Sequence, residues 1–183
     1  LPVYQLSWLV STKVGAAIPL NEVSLSSPNT RYWLLGDIEN AVGSAFADEI
    51  TGNDLPNSLS GNGGNDLLDG GNGDDDLTGG SGNYTLYGGA GNDRFDWDSS
   101  GRSGNDTFYG GAGNDIFVFD SASDIAIENF GEGTDTIWVS FSFSLNSIAN
   151  VENLRAIASA GLSLTGDALD NAFAGTSGND IIF

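Results

Sequence analysis

The stretch GNGGNDLLDGGNGDDDLTGGSGNYTLYGGAGNDRFD, residues 61–96, divides into four consecutive nonapeptides. Each nonapeptide has glycine at its first and fourth positions and leucine or phenylalanine at its eighth. The sixth position is aspartate in three of them and Tyr84 in the other. A random glycine-rich tract would not keep an apolar residue at the eighth position of every repeat. The period therefore predicts a repeat architecture rather than a flexible linker.

The same period extends to both sides of this stretch. Four residues, 97–100, interrupt it, and it resumes with GRSGNDTFY at 101–109 and GGAGNDIFV at 110–118. The interruption means that a strict spacing of two nonapeptides between matching positions fails across it. Weaker copies of the nonapeptide lie at 43–51, 52–60, 119–127 and 130–138.

Each position of the nonapeptide has a physical interpretation. Glycine at positions one, two and four permits positive φ and hence a tight turn. Positions seven to nine alternate polar, apolar and polar, which indicates a three-residue strand with only position eight facing inwards. Two nonapeptides then make one coil, and successive coils stack their strands in parallel. The sequence predicts an all-β fold, a right-handed parallel β-roll or β-solenoid with a narrow core of leucine and phenylalanine.

Stacked turns bring carboxylates that are two nonapeptides apart in sequence close together, where like charges repel. In a nearly extended turn, alternate carbonyls point towards the two neighbouring turns, so each gap collects main-chain carbonyls and a carboxylate. Hard oxygen ligands with flexible geometry suit calcium better than magnesium. We expect calcium ions between the turns, held by acids at position six: Asp48, Asp66, Asp75, Asp93, Asp106, Asp115, Asp124, Asp135 and Asp180. The turn glycines that complete the predicted sites are Gly61, Gly64, Gly70, Gly71, Gly73, Gly79, Gly80, Gly82, Gly88, Gly89, Gly91, Gly104, Gly110, Gly111 and Gly113.

The predicted sites are not equivalent. The pairs Asp75/Asp93 and Asp48/Asp66 follow the pattern best, whereas sites next to Tyr84 are expected to be weaker or to lack metal. Asn57 and Asn171 offer neutral oxygens where aspartate is expected. Asp96 stands at position nine and is expected at the surface, which argues against a pairing with Asp93 as glycosidase acids.

Two nonapeptides, GGAGNDRFD at 88–96 and GGAGNDIFV at 110–118, match the pattern GGxGxDxUx residue for residue. The chain resembles the repeats-in-toxin family, also called haemolysin-type calcium-binding repeats, strongly over 36–138 and moderately over 151–183. The resemblance implies a β-roll that is largely unfolded without calcium. It also implies export through a one-step secretion channel and folding outside the cell.

Composition excludes several classes of function. With 25 acidic and 5 basic residues the net charge is -20, which argues against binding to nucleic acid or to an anionic membrane surface. The chain has no histidine or cysteine, so it contains no Ser-His-Asp triad, cysteine nucleophile or disulfide. No apolar run is long enough to span a bilayer, and no membrane insertion is expected. We expect a binding module rather than an enzyme.

A longer repeat overlies the nonapeptides. Residues 165–182 align with 51–68 without gaps, with eight identities in 18. Since Asp180 falls in the middle of a motif, we expect the array to continue. The predicted organisation is an N-terminal cap or the end of a preceding domain at 1–35, the calcium-binding roll at 36–138, and a connecting segment with the start of a second unit at 139–183.

Two smaller predictions concern regions outside the clear period. Alternating apolar residues over 136–145 predict one strand. The aromatic residues Trp33, Trp97, Trp138 and Phe141 are expected to serve the core or its ends rather than to stack on sugars.

Three roles agree with a calcium-folded roll. The first is a structural segment of a secreted or cell-surface bacterial protein, such as a surface layer, filament or adhesin, with further copies of itself as possible partners. The second is an accessory or secretion module of an exported enzyme, such as an alginate epimerase, lipase or protease. The third is a module that binds an extracellular polysaccharide or ice.

Overall fold

The computed structural model describes residues 3–6, 22–24, 31–34, 39–96, 103–158 and 161–183. These residues form short strands and one short 3₁₀ helix, Leu145–Ser147. No helix in these ranges is long and apolar enough to cross a membrane. In chain order the strands are β1 (Val3–Leu6), β2 (Glu22–Ser24), β3 (Arg31–Leu34), β4 (Asn40–Val42), β5 (Glu49–Thr51), β6 (Ser58–Ser60), β7 (Leu67–Asn72), β8 (Asp76–Thr78), β9 (Thr85–Ala90), β10 (Arg94–Phe95), β11 (Thr107–Ala112), β12 (Ile116–Phe119), β13 (Ile125–Ile127), β14 (Thr136–Val139), β15 (Phe143–Ser144), β16 (Asn153–Ala156), β17 (Ser163–Thr165), β18 (Ala172–Ala174) and β19 (Ile181–Ile182).

The strands alternate between two parallel sheets. Sheet one has the order β1-β3-β5-β7-β9-β11-β13, and sheet two has the order β2-β4-β6-β8-β10-β12-β14-β16-β18, read here from its N-terminal edge. A third sheet, β15-β17-β19, belongs to the C-terminal region. Because consecutive strands lie in opposite sheets and every pairing is parallel, the chain winds as a β-roll, which confirms the predicted fold class.

The register follows the nonapeptide period. Leu68 pairs with Leu86, two nonapeptides later, whereas Leu86 pairs with Phe108, two nonapeptides and four additional residues later. The four additional residues, 97–100, lie outside the described part of the chain. Strands before and after them keep matching positions opposite each other, so the interruption does not shift the ladders.

The column of residues at position eight forms the centre of the core, as predicted. It is aliphatic from Ile50 to Leu86 and aromatic from Phe95 to Phe117, where the Phe95 and Phe117 rings stack at 4.9 Å. The Phe108 ring also stacks at 5.6 Å on Phe119, a core residue outside the column. Full burial of such a side chain stabilises a fold by about 1.5–3 kcal/mol. The position-eight residues buried in the roll are Ile50, Leu59, Leu68, Leu77, Leu86, Phe95, Phe108, Phe117, Ala126 and Ile137.

The first and last regions both extend the strand pattern. The described parts of 1–35 form β1 and β3 in sheet one and β2 in sheet two. At the other end, β17, β18 and β19 begin at positions that match β5, β6 and β7 in the longer repeat. The domain boundaries at residues 35 and 138 remain predictions.

The run 136–145 is not one strand. It is divided between β14 in sheet two and β15 in the third sheet, followed by the 3₁₀ helix, whose cap Ser144 accepts a hydrogen bond from the Asn146 amide at 3.3 Å. Val139 and Leu145 are both buried in the same core. Alternation therefore continues across a corner between two sheets, and the pattern alone could not reveal that corner.

Candidate metal centre

The turns between strands line two edges of the roll. The first edge, from sheet one to sheet two, comprises residues 52–57, 70–75, 88–93, 110–115 and 128–135, of which 70–72, 88–90 and 110–112 are the last residues of β7, β9 and β11. The second edge, from sheet two back to sheet one, comprises residues 43–48, 61–66, 79–84 and 119–124 and the described part of the turn that ends at 106. Both edges stack turns from successive coils, as the sequence predicted.

Position-six carboxylates link each turn to the preceding one. On the first edge, the Asp75 amide donates to Asp93 Oδ1 at 2.8 Å, and the Asp93 amide donates to Asp115 Oδ1 at 2.8 Å. On the second edge, the Asp48 amide donates to Asp66 Oδ1 at 2.9 Å. The same hydrogen bond, from a backbone amide to a carboxylate Oδ1 of the next coil, recurs at five further places. Its donors and acceptors are Asn57 and Asp75, Tyr84 and Asp106, Asp106 and Asp124, Asp115 and Asp135, and Leu162 and Asp180.

Position-five side chains point in the opposite direction. Asp74 Oδ1 accepts from the Asn92 amide of the next coil at 2.7 Å, and Asn92 Oδ1 accepts from the Asn114 amide at 2.9 Å. Side chains at positions five and six of a turn therefore face different neighbouring turns, and the expected alternation of the carbonyls remains a prediction.

The second carboxylate oxygen of several position-six residues is buried and accepts no hydrogen bond. Leaving a buried polar group unpaired costs about 1–3 kcal/mol, and more when it is charged. A row of such oxygens needs a counter-charge, and anionic and carbonyl oxygens form the donor set that calcium prefers. The residues present therefore fit calcium. The unpaired atoms at position six are Asp48 Oδ1, Asp66 Oδ2, Asp75 Oδ2, Asp93 Oδ2, Asp106 Oδ2 and Asp115 Oδ2.

Glycine at position one makes room for these oxygens. A Cβ on Gly70 would collide with Asp75 Oδ2 and would lie 2.8 Å from the carbonyl oxygen of Gly88. A Cβ on Gly88 would likewise collide with Asp93 Oδ2 and would lie 2.7 Å from the carbonyl oxygen of Gly110. In each case a carboxylate oxygen and a carbonyl oxygen of the next coil lie together on the side of the glycine where a Cβ would stand, which we call the face of the glycine.

This geometry corrects the expectation for position one. Its glycines are absent from the left-handed region, so they are required for space rather than for positive φ. The φ prediction is correct for positions two and four, whose positive-φ glycines are Gly64, Gly71, Gly73, Gly80, Gly82, Gly89, Gly91, Gly104, Gly111 and Gly113. The predicted glycines at position one are Gly61, Gly70, Gly79, Gly88 and Gly110.

Burial dominates the electrostatics of these carboxylates. It raises the pKa of Asp75 and Asp115 to about 7, and the neighbouring charge of Asp93 adds to the rise in both. Burial likewise raises the pKa of four other carboxyls to about 6: Asp66, Asp93, Asp106 and Asp135. Hydrogen bonds from backbone amides counter only part of the increase, so the metal-free fold disfavours the ionised form of these carboxyls.

One acidic cluster on the second edge includes a residue that the pattern did not single out. Carboxylate oxygens of Asp106, Asp120 and Asp124 all lie within 4.8 Å of one another. Asp120 occupies position two of the weak nonapeptide 119–127, where four of the regular nonapeptides have glycine. Asp124 Oδ2 also accepts from the Asp120 and Ser121 amides, at 3.1 and 3.0 Å.

Tyr84 replaces the carboxylate at one step of the second edge. Its ring fills the face of Gly79, and its hydroxyl donates to Asp96 Oδ2, while Asp96 Oδ1 accepts from the Gly79 amide at 3.0 Å. Asp96 is only 1 % exposed, so the expectation of a surface position is wrong. Asp96 has a positive φ of 54°, and its carboxylate is directed towards Gly79 and Tyr84 instead of towards solvent.

The remaining predicted residues differ in their surroundings. Asn57 is buried, and its Oδ1 accepts from the Asn53 amide at 2.8 Å. Asp180, near the end of the chain, accepts from the Leu162 amide at 3.0 Å and from the Thr176 amide at 2.6 Å, and these bonds lower its pKa. Trp138 lies beneath the Arg155 guanidinium at 4.4 Å.

Fold and edges together define a parallel β-roll whose stacked, acid-lined turns take calcium. A family model described as the RTX calcium-binding nonapeptide repeat matches four copies, at residues 51–86, 85–96, 99–126 and 165–183, together just over half of the chain. The chain belongs to this family, and its repeats bind calcium. No curated protein and no solved structure matched it.

Proposed function

We propose that this chain is a calcium-folded structural module of a secreted or cell-surface protein. The observation that carries the proposal is the row of buried carboxylate oxygens without hydrogen-bond donors on both edges. Without a cation the fold would confine these charges close together in a partly dry setting. Calcium supplies the compensating positive charge when bound, so its binding free energy becomes folding free energy.

The ligands that we assign are paired between adjacent turns. Each pair combines the free oxygen of a position-six aspartate with the carbonyl of the position-one glycine in the next coil. On the first edge this gives Asp75 with Gly88, and Asp93 with Gly110. On the second edge it gives Asp66 with Gly79; at Asp48, the oxygen next to the Gly61 carbonyl is Oδ2, which already accepts from the Ser44 amide at 2.6 Å. We propose that the other predicted acids contribute less regular sites.

The charge of the chain supports a role outside the cell. A net charge of -20 favours an expanded, loose chain where calcium is scarce, because the carboxylates repel one another. Where calcium is abundant, the same carboxylates hold the turns together. Export in the unfolded state followed by folding outside follows from this difference.

Among the roles, we favour a structural or surface segment. The longer repeat restarts at 151, and its last three strands match those of the first unit, so further units would add length by the same stacking. An accessory module of an exported enzyme is the alternative, with catalytic residues outside this chain. Mass measurement of the native species with calcium distinguishes a self-assembling segment from a monomeric module.

The proposal is tested by calcium titration of the wild-type chain and of Asp75→Ala and Asp93→Ala. Each variant removes a free oxygen and also the acceptor for an amide of the preceding coil. We expect both to need several-fold more calcium to reach the folded circular-dichroism spectrum. Asp170→Ala, at an exposed aspartate, is the matched control and should behave as wild type. Equal midpoints for all four chains would contradict the assignment.

A further inference from the structure

Glu128 begins the last turn of the first edge, where the regular pattern ends. The turn 128–135 reads ENFGEGTD and has two residues more than the turn 110–115, which reads GGAGND. Glu128 stands two nonapeptides after Gly110, just as Gly88 stands two nonapeptides after Gly70. It therefore occupies the place of a position-one glycine, although it lies beyond the residues that match the family pattern.

The Glu128 side chain is buried without a hydrogen-bond partner. Only 6 % of the residue is exposed, and both Oε1 and Oε2 are buried and accept no hydrogen bond. Its backbone carbonyl is used elsewhere, since it accepts from Asn150 Nδ2 at 2.9 Å. A carboxylate with two buried, unpaired oxygens carries a large desolvation cost unless a cation or a proton neutralises it.

The carboxylate points into the place that a carbonyl fills in earlier coils. The face of Gly70 meets Asp75 Oδ2 and the Gly88 carbonyl oxygen. The face of Gly110 meets Asp115 Oδ2 and, instead of a carbonyl, Glu128 Oε1. The same corner of the turn is thus formed by two carboxylates rather than by a carboxylate and a neutral oxygen.

Two carboxylate oxygens so close together repel unless something binds between them. Burial, followed by the charges of Asp135 and Asp115, raises the pKa of Glu128 to about 8. The amides of Gly110 and Gly111 counter this rise in part, without reaching hydrogen-bonding geometry. The position of Glu128 in the edge makes a metal ion the natural partner, because the preceding turns present their free oxygens at the equivalent corner.

We propose that Glu128 is a calcium ligand outside the nonapeptide pattern, which shares one ion with Asp115 and closes the first edge. The inference rests on the proposed function, since it assigns one further ligand to the same row of sites. A site with two carboxylates carries more negative charge than its neighbours, and calcium affinity rises with ligand charge. This site is therefore expected to fill before the others on its edge.

The test counts bound calcium by native mass spectrometry and follows folding by circular dichroism on the full chain. We expect Glu128→Gln to bind one ion fewer than wild type at limiting calcium. Asp115→Asn should lose the same ion, so the double variant should lose no more than Asp115→Asn alone. Glu132→Gln is the control, because Glu132 lies in the same turn but is only partly buried and accepts from the Asn129 amide at 3.0 Å. It should retain the wild-type count.

The outcomes separate this inference from the proposed function. If wild type responds to calcium but Glu128→Gln keeps the same ion count and midpoint, Glu128 is only a buried protonated acid and the inference is wrong. If wild type itself ignores calcium, the proposed function fails as well.

A measurement on wild type covers the case in which Glu128→Gln does not fold. With glutamate Cδ labelled by carbon-13, the Glu128 signal of the folded, calcium-saturated chain should have the chemical shift of an ionised carboxylate. The chemical shift of a protonated carboxylic acid in that state would overturn the inference.

Discussion

The aspartate at position six divides its two oxygens between two tasks. In Asp93, Oδ1 accepts from the amide of Asp75 and joins two coils, while Oδ2 is buried without a donor. The first contact fixes the stacking of the turns, and the second oxygen creates the demand for a cation. One residue type at one spacing therefore couples the architecture of the edge to metal binding.

Tyr84 shows what happens when this residue changes. The tyrosine hydroxyl donates to the buried Asp96 carboxylate, so two side chains of the roll pair with each other at a step where other coils present a free oxygen. We therefore expect this step to be held together independently of calcium. The raised pKa of Tyr84, caused first by burial and then by the Asp96 charge, keeps the hydroxyl protonated as a donor.

Tyr84→Phe tests this interpretation. The variant removes a hydrogen-bond donor from a buried carboxylate, which is expected to lower the free energy of unfolding by about 1–3 kcal/mol. Denaturant unfolding at saturating calcium measures the loss, and the calcium midpoint should hardly move. Tyr87→Phe, on the half-exposed outer face, is the control. A Tyr84→Phe variant as stable as wild type, or one that changes only the calcium midpoint, would refute a calcium-independent pairing.

At the level of strands and turns, the sequence predicts regular features well because they repeat. Gly70, Asp75 and Leu77 each represent a residue type that recurs at a fixed position of the nonapeptide. The recurring glycine marks where a side chain has no room, the aspartate marks the charged edge, and the leucine marks the core. The parallel pairing of strands follows from this, because the apolar residues at position eight of each nonapeptide can all be buried only if the coils stack in register. The buried column from Ile50 to Ile137 confirms that reasoning.

Irregular features escaped prediction for reasons that the structure makes clear. The corner within 136–145 keeps alternation intact because both strands face one core. Asp96 is buried because its backbone adopts a positive φ that no neighbouring repeat shares. Asp120 and Glu128 stand where the pattern expects glycine, so a search for aspartate at position six passes over them. Each of the two acids stands two nonapeptides, or 18 residues, after a turn residue of the preceding coil. That spacing in the sequence was the signal that could have identified them as edge residues.

For the whole molecule, the distribution of charge determines the response to pH. Without metal, the pKa of Asp75 and Asp115 is about 7 and that of Asp66, Asp93 and Asp106 about 6, compared with 3.8 for an ordinary aspartate. The metal-free fold binds more protons than the unfolded chain in the window between these values. The stability that these carboxyls contribute to the metal-free fold is therefore fully present below their ordinary pKa, and it is lost as the pH rises through the raised values.

The prediction has opposite signs with and without calcium. In EGTA, lowering the pH from about 8 to about 5 should increase the β-structure content, because protonation removes repulsion between the edge carboxylates. With calcium present, the same acidification should raise the calcium midpoint, because protons and calcium compete for the same oxygens. Circular dichroism at a series of pH values, kept above the pI of about 4.1, measures both. A metal-free chain that loses β structure on acidification over this range would contradict the electrostatic account.

The claim that bound calcium holds the stacked turns in place is tested most directly by hydrogen exchange of the turn amides. The informative amides are those of Asp75, Asp93 and Asp115, each of which donates to a carboxylate of the next coil at 2.8 Å. With calcium we expect these amides to be strongly protected, and in EGTA at neutral pH we expect them to exchange at nearly the rate of an unfolded chain. Equal protection of the three amides in calcium and in EGTA would show that the roll is stable without the metal, and it would contradict the account.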